Sequence, residues 1–365
     1  MTGARDITPA IGSPGGPGRY LRAVEGARVA LARRGWADAR WSHLYGENTR
    51  YAPSAAADGQ VAQAARRARG GETVKARVQG PVVKPAVWTW EIPVYFWFGG
   101  MASGASILAV ACDLSGDRRS AVVARRVALG AAVPCAPLLI MDLGRPARFL
   151  NMLRIFKPRS PMSMGAWCLS AFSTAAGAAA AADLLDRPAA ARGLGGASAG
   201  LGLYLGSYTG VLLASTAVPV WARSRLLLGP IFVSTALATG AAATRLALVA
   251  SGLKVGAPTR QALGTVETAA ISAELVLSSL NQRRLGRVGE ALEHGRAGQL
   301  FTAAKWAVRG GLALRLGRSR GAWVHHLASV LYLAAGLAFR FAWVQAGRTS
   351  AGDHEAVAGA ARQPR

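Results

Sequence analysis

The sequence predicts an all-α integral membrane protein, a bundle of about eight transmembrane helices behind a basic, largely disordered N-terminal tail. Three observations predict it. Hydrophobic residues fill 52% of the 365 positions, charged residues only 17%, and mean hydropathy is +0.25, whereas soluble domains carry about a quarter charged residues. From Val87 onward the chain is a series of apolar runs, each near the roughly 20 residues that cross ~30 Å of hydrocarbon. The runs are continuous instead of alternating, so the backbone groups that lipid cannot solvate must be paired within helices and not in a closed barrel.

The predicted spans are 87–112, 121–142, 163–185, 199–221, 226–250, 262–282, 300–317 and 323–346. The seventh is the weakest, because Lys305, Arg309 and Arg315 interrupt it. Gly202, Gly206 and Gly210, and Gly100 with Gly104, form small-xxx-small steps that let helix backbones approach closely. Trp88, Trp90, Trp97, Trp221, Trp323 and Trp343 lie near predicted span ends and read mostly as interface anchors. The organisation expected is an extramembrane tail over 1–86, a transmembrane domain over 87–348 and a C-terminal tail over 349–365.

The tail has no opening apolar stretch with a cleavage site, so it does not read as a signal peptide. Residues 21–34 suit a short basic amphipathic helix resting on lipid headgroups. Charge is lopsided, 43 Lys and Arg against 18 Asp and Glu, net +25. Of this, +8 falls on the first 86 residues, with 14 Lys or Arg against 6 acids, and +17 on the rest. The basic residues sit between apolar runs instead of forming one stripe with stacking aromatics, which argues against a nucleic-acid partner. With eight spans, the loops on the side of the termini carry eleven Lys or Arg and those opposite carry eight. That difference places the termini in the cytoplasm.

Several chemistries are excluded from this chain. Cys112, Cys135 and Cys168 form no Cys-x-x-Cys pair and have no His nearby in sequence, so no iron–sulfur cluster or structural zinc is expected, and the thiols read as packing groups. Of the five His, only His325 and His326 touch a span. Adjacent residues point about 100° apart on a helix and cannot clamp one haem iron. No haem or other metal is expected, and any redox role would use a diffusible carrier such as quinone.

Ionisable groups inside a bilayer are costly and need a reason. Glu91, Asp142, Arg245, Glu267, Glu274, Lys305, Arg309 and Arg340 qualify. Glu267 and Glu274 are two helical turns apart and share a stripe. They suit either salt bridges to Arg245, Arg309 or Arg340, or a carboxylate ladder for proton transfer. In an antiparallel bundle, the start of span one, the end of span two and the start of span three share a membrane face. Glu91, Tyr95, Asp142, Arg145, Arg148 and Asn151 are therefore expected to converge. Apolar walls with a carboxylate, a phenol and guanidinium groups suit a quinone, with Glu91 and Asp142 exchanging its protons. Tyr204 and Tyr208, one turn apart on span four, offer another wall.

Two stretches carry a resemblance. Trp88-Thr89-Trp90-Glu91-Ile92-Pro93 opens span one, and Asp142-Leu143-Gly144-Arg145-Pro146-Ala147-Arg148-Phe149-Leu150-Asn151 begins the loop that runs on to Trp167. With Tyr208-Thr209-Gly210 and Ala217-Val218-Pro219-Val220-Trp221, they make residues about 81–348 resemble the NrfD/PsrC-like family. These are the membrane subunits of polysulfide reductase, nitrite reductase and related molybdopterin oxidoreductase complexes. The resemblance implies eight transmembrane helices in a bacterial plasma membrane, no haem, and electron exchange between menaquinone or menaquinol and an iron–sulfur, ferredoxin-like partner beside a molybdopterin catalytic subunit. It also implies a quinone site built from polar side chains at the start of the first helix, matched by Glu91 and Tyr95, and a Tyr on the fourth, matched by Tyr208. Some relatives carry a His in place of Tyr95. The alternative from the residues themselves is a transporter or ion channel whose pathway is lined by Glu267, Glu274 and Arg245, with discontinuous helices at Pro93, Pro134, Pro137, Pro219 and Pro230.

Overall fold

The structure is a computed structural model that describes residues 83–143, 151–252, 256–317, 321–353 and 357. The N-terminal tail to residue 82, with the proposed helix over 21–34, lies outside the described residues, as do Arg145 and Arg148. All described residues belong to one compact unit, and their regular structure is helical.

Helix α1 spans Glu91–Leu114, with Pro93 in its first turn, where a missing N–H costs nothing. Gly116, at φ 78°, turns the chain, and Asp117 caps α2 (Arg118–Ala132) by accepting from Ser120 N at 3.0 Å. Pro134 separates α2 from α3 (Cys135–Leu143), and together the two make one membrane-length segment, Arg118–Leu143. Ser160 and Pro161 start α4 (Pro161–Leu184), and Pro188 starts α5 (Pro188–Ala214). A short α6 (Pro219–Arg223) leads into α7 (Arg225–Ala250). Then follow α8 (Ala257–Leu285), a 3-10 turn Gly286–Leu292, α9 (Gly295–Leu316) and α10 (Ala322–Gly352).

Among the described residues, six segments are long and apolar enough to cross a membrane: Glu91–Leu114, Arg118–Leu143, Pro188–Ala214, Arg225–Ala250, Pro258–Leu292 and Trp323–Gly352. The third and seventh expected spans correspond to α4 and α9, which have 24 and 22 residues and are not among these six. Helix α4 is diluted by Gly, Ser and Thr, and α9 by Arg296, Lys305, Arg309 and Arg315.

Two expectations are corrected. The fourth span was expected over 199–221, but α5 starts eleven residues earlier, at Pro188, and ends at Ala214. Pro188 presets the first helical φ, the Ala/Gly-rich 189–200 continues the helix, and Pro219 opens a separate one. Trp221 and Trp343, expected at the interface, are 0% and 1% exposed. Trp221 stacks on Trp88 at 5.4 Å and donates from Nε1 to the Trp343 carbonyl at 3.0 Å. Trp90 and Trp323 do lie on the surface, at 52% and 68%.

The small-residue steps bring backbones together. A Cβ at Gly104 would fall on the Ala236 carbonyl of α7, and one at Gly240 on the backbone of Gly104 and Ala105. Gly202 and Gly206 of α5 face Ser103 and Ser106 of α1, with Ser103 Oγ donating to Gly202 O at 2.5 Å. Helix α1 is thereby held between α5 and α7.

Contacts between helix ends define two faces. At the near face, Arg348 donates to Ala86 O (3.2 Å), Val220 N to Ser350 Oγ (3.2 Å) and Asn281 Nδ2 to Ser224 Oγ (2.9 Å). At the far face, Thr259 donates to Asp117 (2.6 Å) and Arg118 pairs with Asp186 (2.6 Å). The described chain enters and leaves at the near face.

Candidate functional site

Glu91 and Tyr95 are one turn apart on α1, on the same side of the helix, and both are buried, at 2% and 3% exposure. Glu91 accepts a hydrogen bond from the Thr89 hydroxyl. Tyr95 belongs to a buried cluster with Ile92, Phe96, Cys135, Leu138, Cys168 and Leu169, drawn from α1, α3 and α4. Tyr208, on the near-face half of α5, is 5% exposed, lies 6.0 Å from Tyr204, and presses its phenol against Gly165 of α4. Tyr95 is within electrostatic reach of the Tyr208 phenol and of the Cys135 and Cys168 thiols, and Tyr208 of Cys168. Gly165 is what admits the Tyr208 ring between α4 and α5, since any Cβ there would overlap it.

The structure thus brings Tyr95 and Tyr208 near one another, Tyr95 within an apolar cluster, and sets Glu91 one turn from Tyr95 at the start of α1. Asp142 ends α3, one turn beyond Leu138 of that cluster, and is half-buried. Asn151 is exposed at the start of the next described segment. Phenols donate hydrogen bonds and a buried carboxylate accepts a proton, so the cluster can hold a neutral aromatic carbonyl and handle its protons.

The other two predicted acids lie elsewhere, on α8 between α7, α9 and α10. Glu267 is fully buried and locked. Arg245 Nε meets Oε1 at 2.8 Å, while Arg315 Nη2 and Ser329 Oγ (2.9 Å) meet Oε2. Arg245 was an anticipated partner and Arg315 was not. Glu274 receives Ser278 Oγ at 2.6 Å and borders a cavity of about 60 Å³.

Sequence reasoning also missed a buried ion triad at the far face. Arg125 donates to Asp113 (2.5 Å) and twice to Asp183 (2.6 and 2.9 Å), joining α1, α2 and α4. The signal was present as an Arg inside an apolar run one helix away from Asp113, but pairing across helices cannot be read from spacing.

A comparison with curated proteins returned no match. The sequence pattern of the family described as polysulphide reductase, NrfD, matches residues 82–315, from just before α1 to the end of α9. The helical membrane architecture and the buried near-face cluster both fall within that range, and the chain belongs to the NrfD polysulphide reductase family, whose members are membrane subunits of oxidoreductase complexes.

Proposed function

We propose that this protein is the quinone-reactive subunit of its complex, exchanging electrons between membrane quinone or menaquinol and an iron–sulfur partner protein that serves a molybdopterin catalytic subunit. The observation that carries the reading is the approach of Tyr95 and Tyr208 from α1 and α5, with the buried Glu91 one turn from Tyr95 along α1. A quinone needs hydrogen-bond donors at its ring oxygens and apolar walls for ring and tail. The two phenols supply donors, and Ile92, Phe96, Leu138 and Leu169 supply the walls.

Oxidation of a quinol releases two electrons and two protons. Glu91 accepts the two protons one after the other, directly or through a water, and Asp142, at the near-face end of α3, returns each to solvent before the next is taken. Electrons leave to the partner, docked on the basic near-face loop that holds Arg145, Arg148, Arg154, Lys157 and Arg159. The redox centre that receives them belongs to the partner.

The test is turnover of the purified complex with a menaquinol analogue. Glu91→Gln should lower quinone-linked turnover by about 10²-fold or more, the typical loss of a general acid or base, with complex assembly intact. Tyr208→Phe, which keeps the ring against Gly165, should act mainly on KM for the quinol. Wild-type kinetics in both variants would remove this cluster from the reaction.

A further inference from the structure

The second half of the bundle carries a buried polar column that the quinone reading does not use. Glu267, Glu274 and Asn281 recur every seven residues along α8 and are 0%, 4% and 1% exposed. They cover about 21 Å of helix, most of a hydrocarbon thickness. The two carboxylates are held quite differently. Both oxygens of Glu267 are taken by Arg245, Arg315 and Ser329. Glu274 receives only Ser278 and forms no salt bridge among the described residues.

Cations surround Glu274 without closing on it. Arg340 of α10 is 2% exposed and within electrostatic range. Its guanidinium stacks 4.2 Å over Phe232, and its Nε and Nη1 have no hydrogen-bond partner among the described residues. Lys305 of α9 is also in range and is tied to Gln282 at 2.8 Å, while Arg309 borders the same cavity. From α7 the facing group is the neutral Thr235. A buried carboxylate with a spare oxygen on a cavity is too costly to leave dry. The cavity of about 60 Å³ at Glu274 has room for roughly four waters.

We propose that Glu274 and its cavity form a hydrated proton-exchange site in the middle of the membrane domain, open through Lys305 and Gln282 toward the near face and sealed toward the far face by the Glu267 cluster. The balance is simple. The Glu274 carboxylate takes a proton from Lys305 Nζ, directly or through a cavity water, which neutralises both groups and leaves the net charge of the pocket unchanged. Lys305 then recovers a proton from near-face water. Arg340 remains charged on Phe232 throughout, and Glu267, held by two Arg, takes no part.

Two measurements on the full-length protein in lipid nanodiscs or sealed vesicles test this, and neither needs quinone or a partner, so they stand apart from the quinone proposal. Infrared difference spectra between acid and alkaline pH should contain a protonated-carboxyl band that shifts in heavy water and is lost in Glu274→Gln. The thiol introduced by Ser278→Cys should react with a membrane-impermeant thiol reagent from the near face and not from the far face, above the background of the unsubstituted protein. The second result is readable even if Glu274→Gln does not fold. An exchangeable carboxyl signal that is the same in wild type and Glu274→Gln, so that no component is lost with Glu274, or an introduced thiol that is unreactive from the near face, would overturn the proposal.

Discussion

Replacing Arg125 by Met should be among the most destabilising single changes in the protein. Its side chain is 3% exposed, and those of Asp113 and Asp183 are 9% and 3%. Three charge-assisted hydrogen bonds join them, at 2.5, 2.6 and 2.9 Å. At about 1.5–3 kcal/mol each, their gross worth is about 4.5–9 kcal/mol, much of it offset by the cost of burying the charges. Removing only the cation leaves two carboxylates buried and facing each other, so the expected loss is about 3–5 kcal/mol. Met keeps the aliphatic stem that packs beside Gly195 of α5, which confines the change to charge. Reversible unfolding in mixed micelles by a denaturing detergent, followed by circular dichroism, measures it. The combined variant Arg125→Met, Asp113→Asn, Asp183→Asn removes the uncompensated charge and should recover about 2 kcal/mol or more of that loss. A loss below about 1 kcal/mol in the single variant, or no recovery in the combined one, would refute the triad as a clamp of α1, α2 and α4.

Gly240→Ala should also destabilise strongly, because its Cβ would lie 2.7 Å from Gly104 Cα and closer still to neighbouring backbone, and backbone cannot rotate away. About 1–3 kcal/mol is expected from such overpacking, against no measurable change for Gly130→Ala, where a Cβ meets nothing within 4 Å. Outside the membrane, partial burial alone would raise the Asp117 carboxyl. Hydrogen bonds from Thr259 and Ser120 and the charge of Arg119 outweigh it and hold the carboxyl below its ordinary value. A lowered folded pKa contributes stability that is complete above the unfolded value, near 3.9, and is lost as pH falls through the folded one. The melting-temperature advantage of wild type over Asp117→Asn should therefore be largest near neutrality and shrink below about pH 4; an advantage independent of pH would contradict the charge argument.

How much was legible depended on whether a feature is local. The apolar runs and the Pro, Ser and Asp caps mark where helices run and turn, because length, propensity and capping act within a few residues. Even so, α5 begins at Pro188 and not near 199, since Ala and Gly score weakly on any apolar scale yet continue a helix when neighbours pack against them. That Tyr95 near the start of α1 shares a cluster with Cys135 and Leu138 of α3 was deducible from antiparallel order alone. Tyr208 against Gly165 was not, because it depends on the rotation of α5 about its axis.

The sequence by itself determined the class of molecule, the helices and their alternation, and the pattern at 82–315 that assigns the family. These follow from the hydrophobic cost of exposed polar backbone and from local order along the chain. Only the tertiary structure decided which buried charges are satisfied. Arg315 and Arg245 close on Glu267, Arg125 closes on two aspartates, and Glu274 is left beside a cavity without an ion pair among the described residues. Whether a charge inside a membrane is a brace or a working group is fixed by what stands within hydrogen-bond reach across helices, and that distance is set by packing.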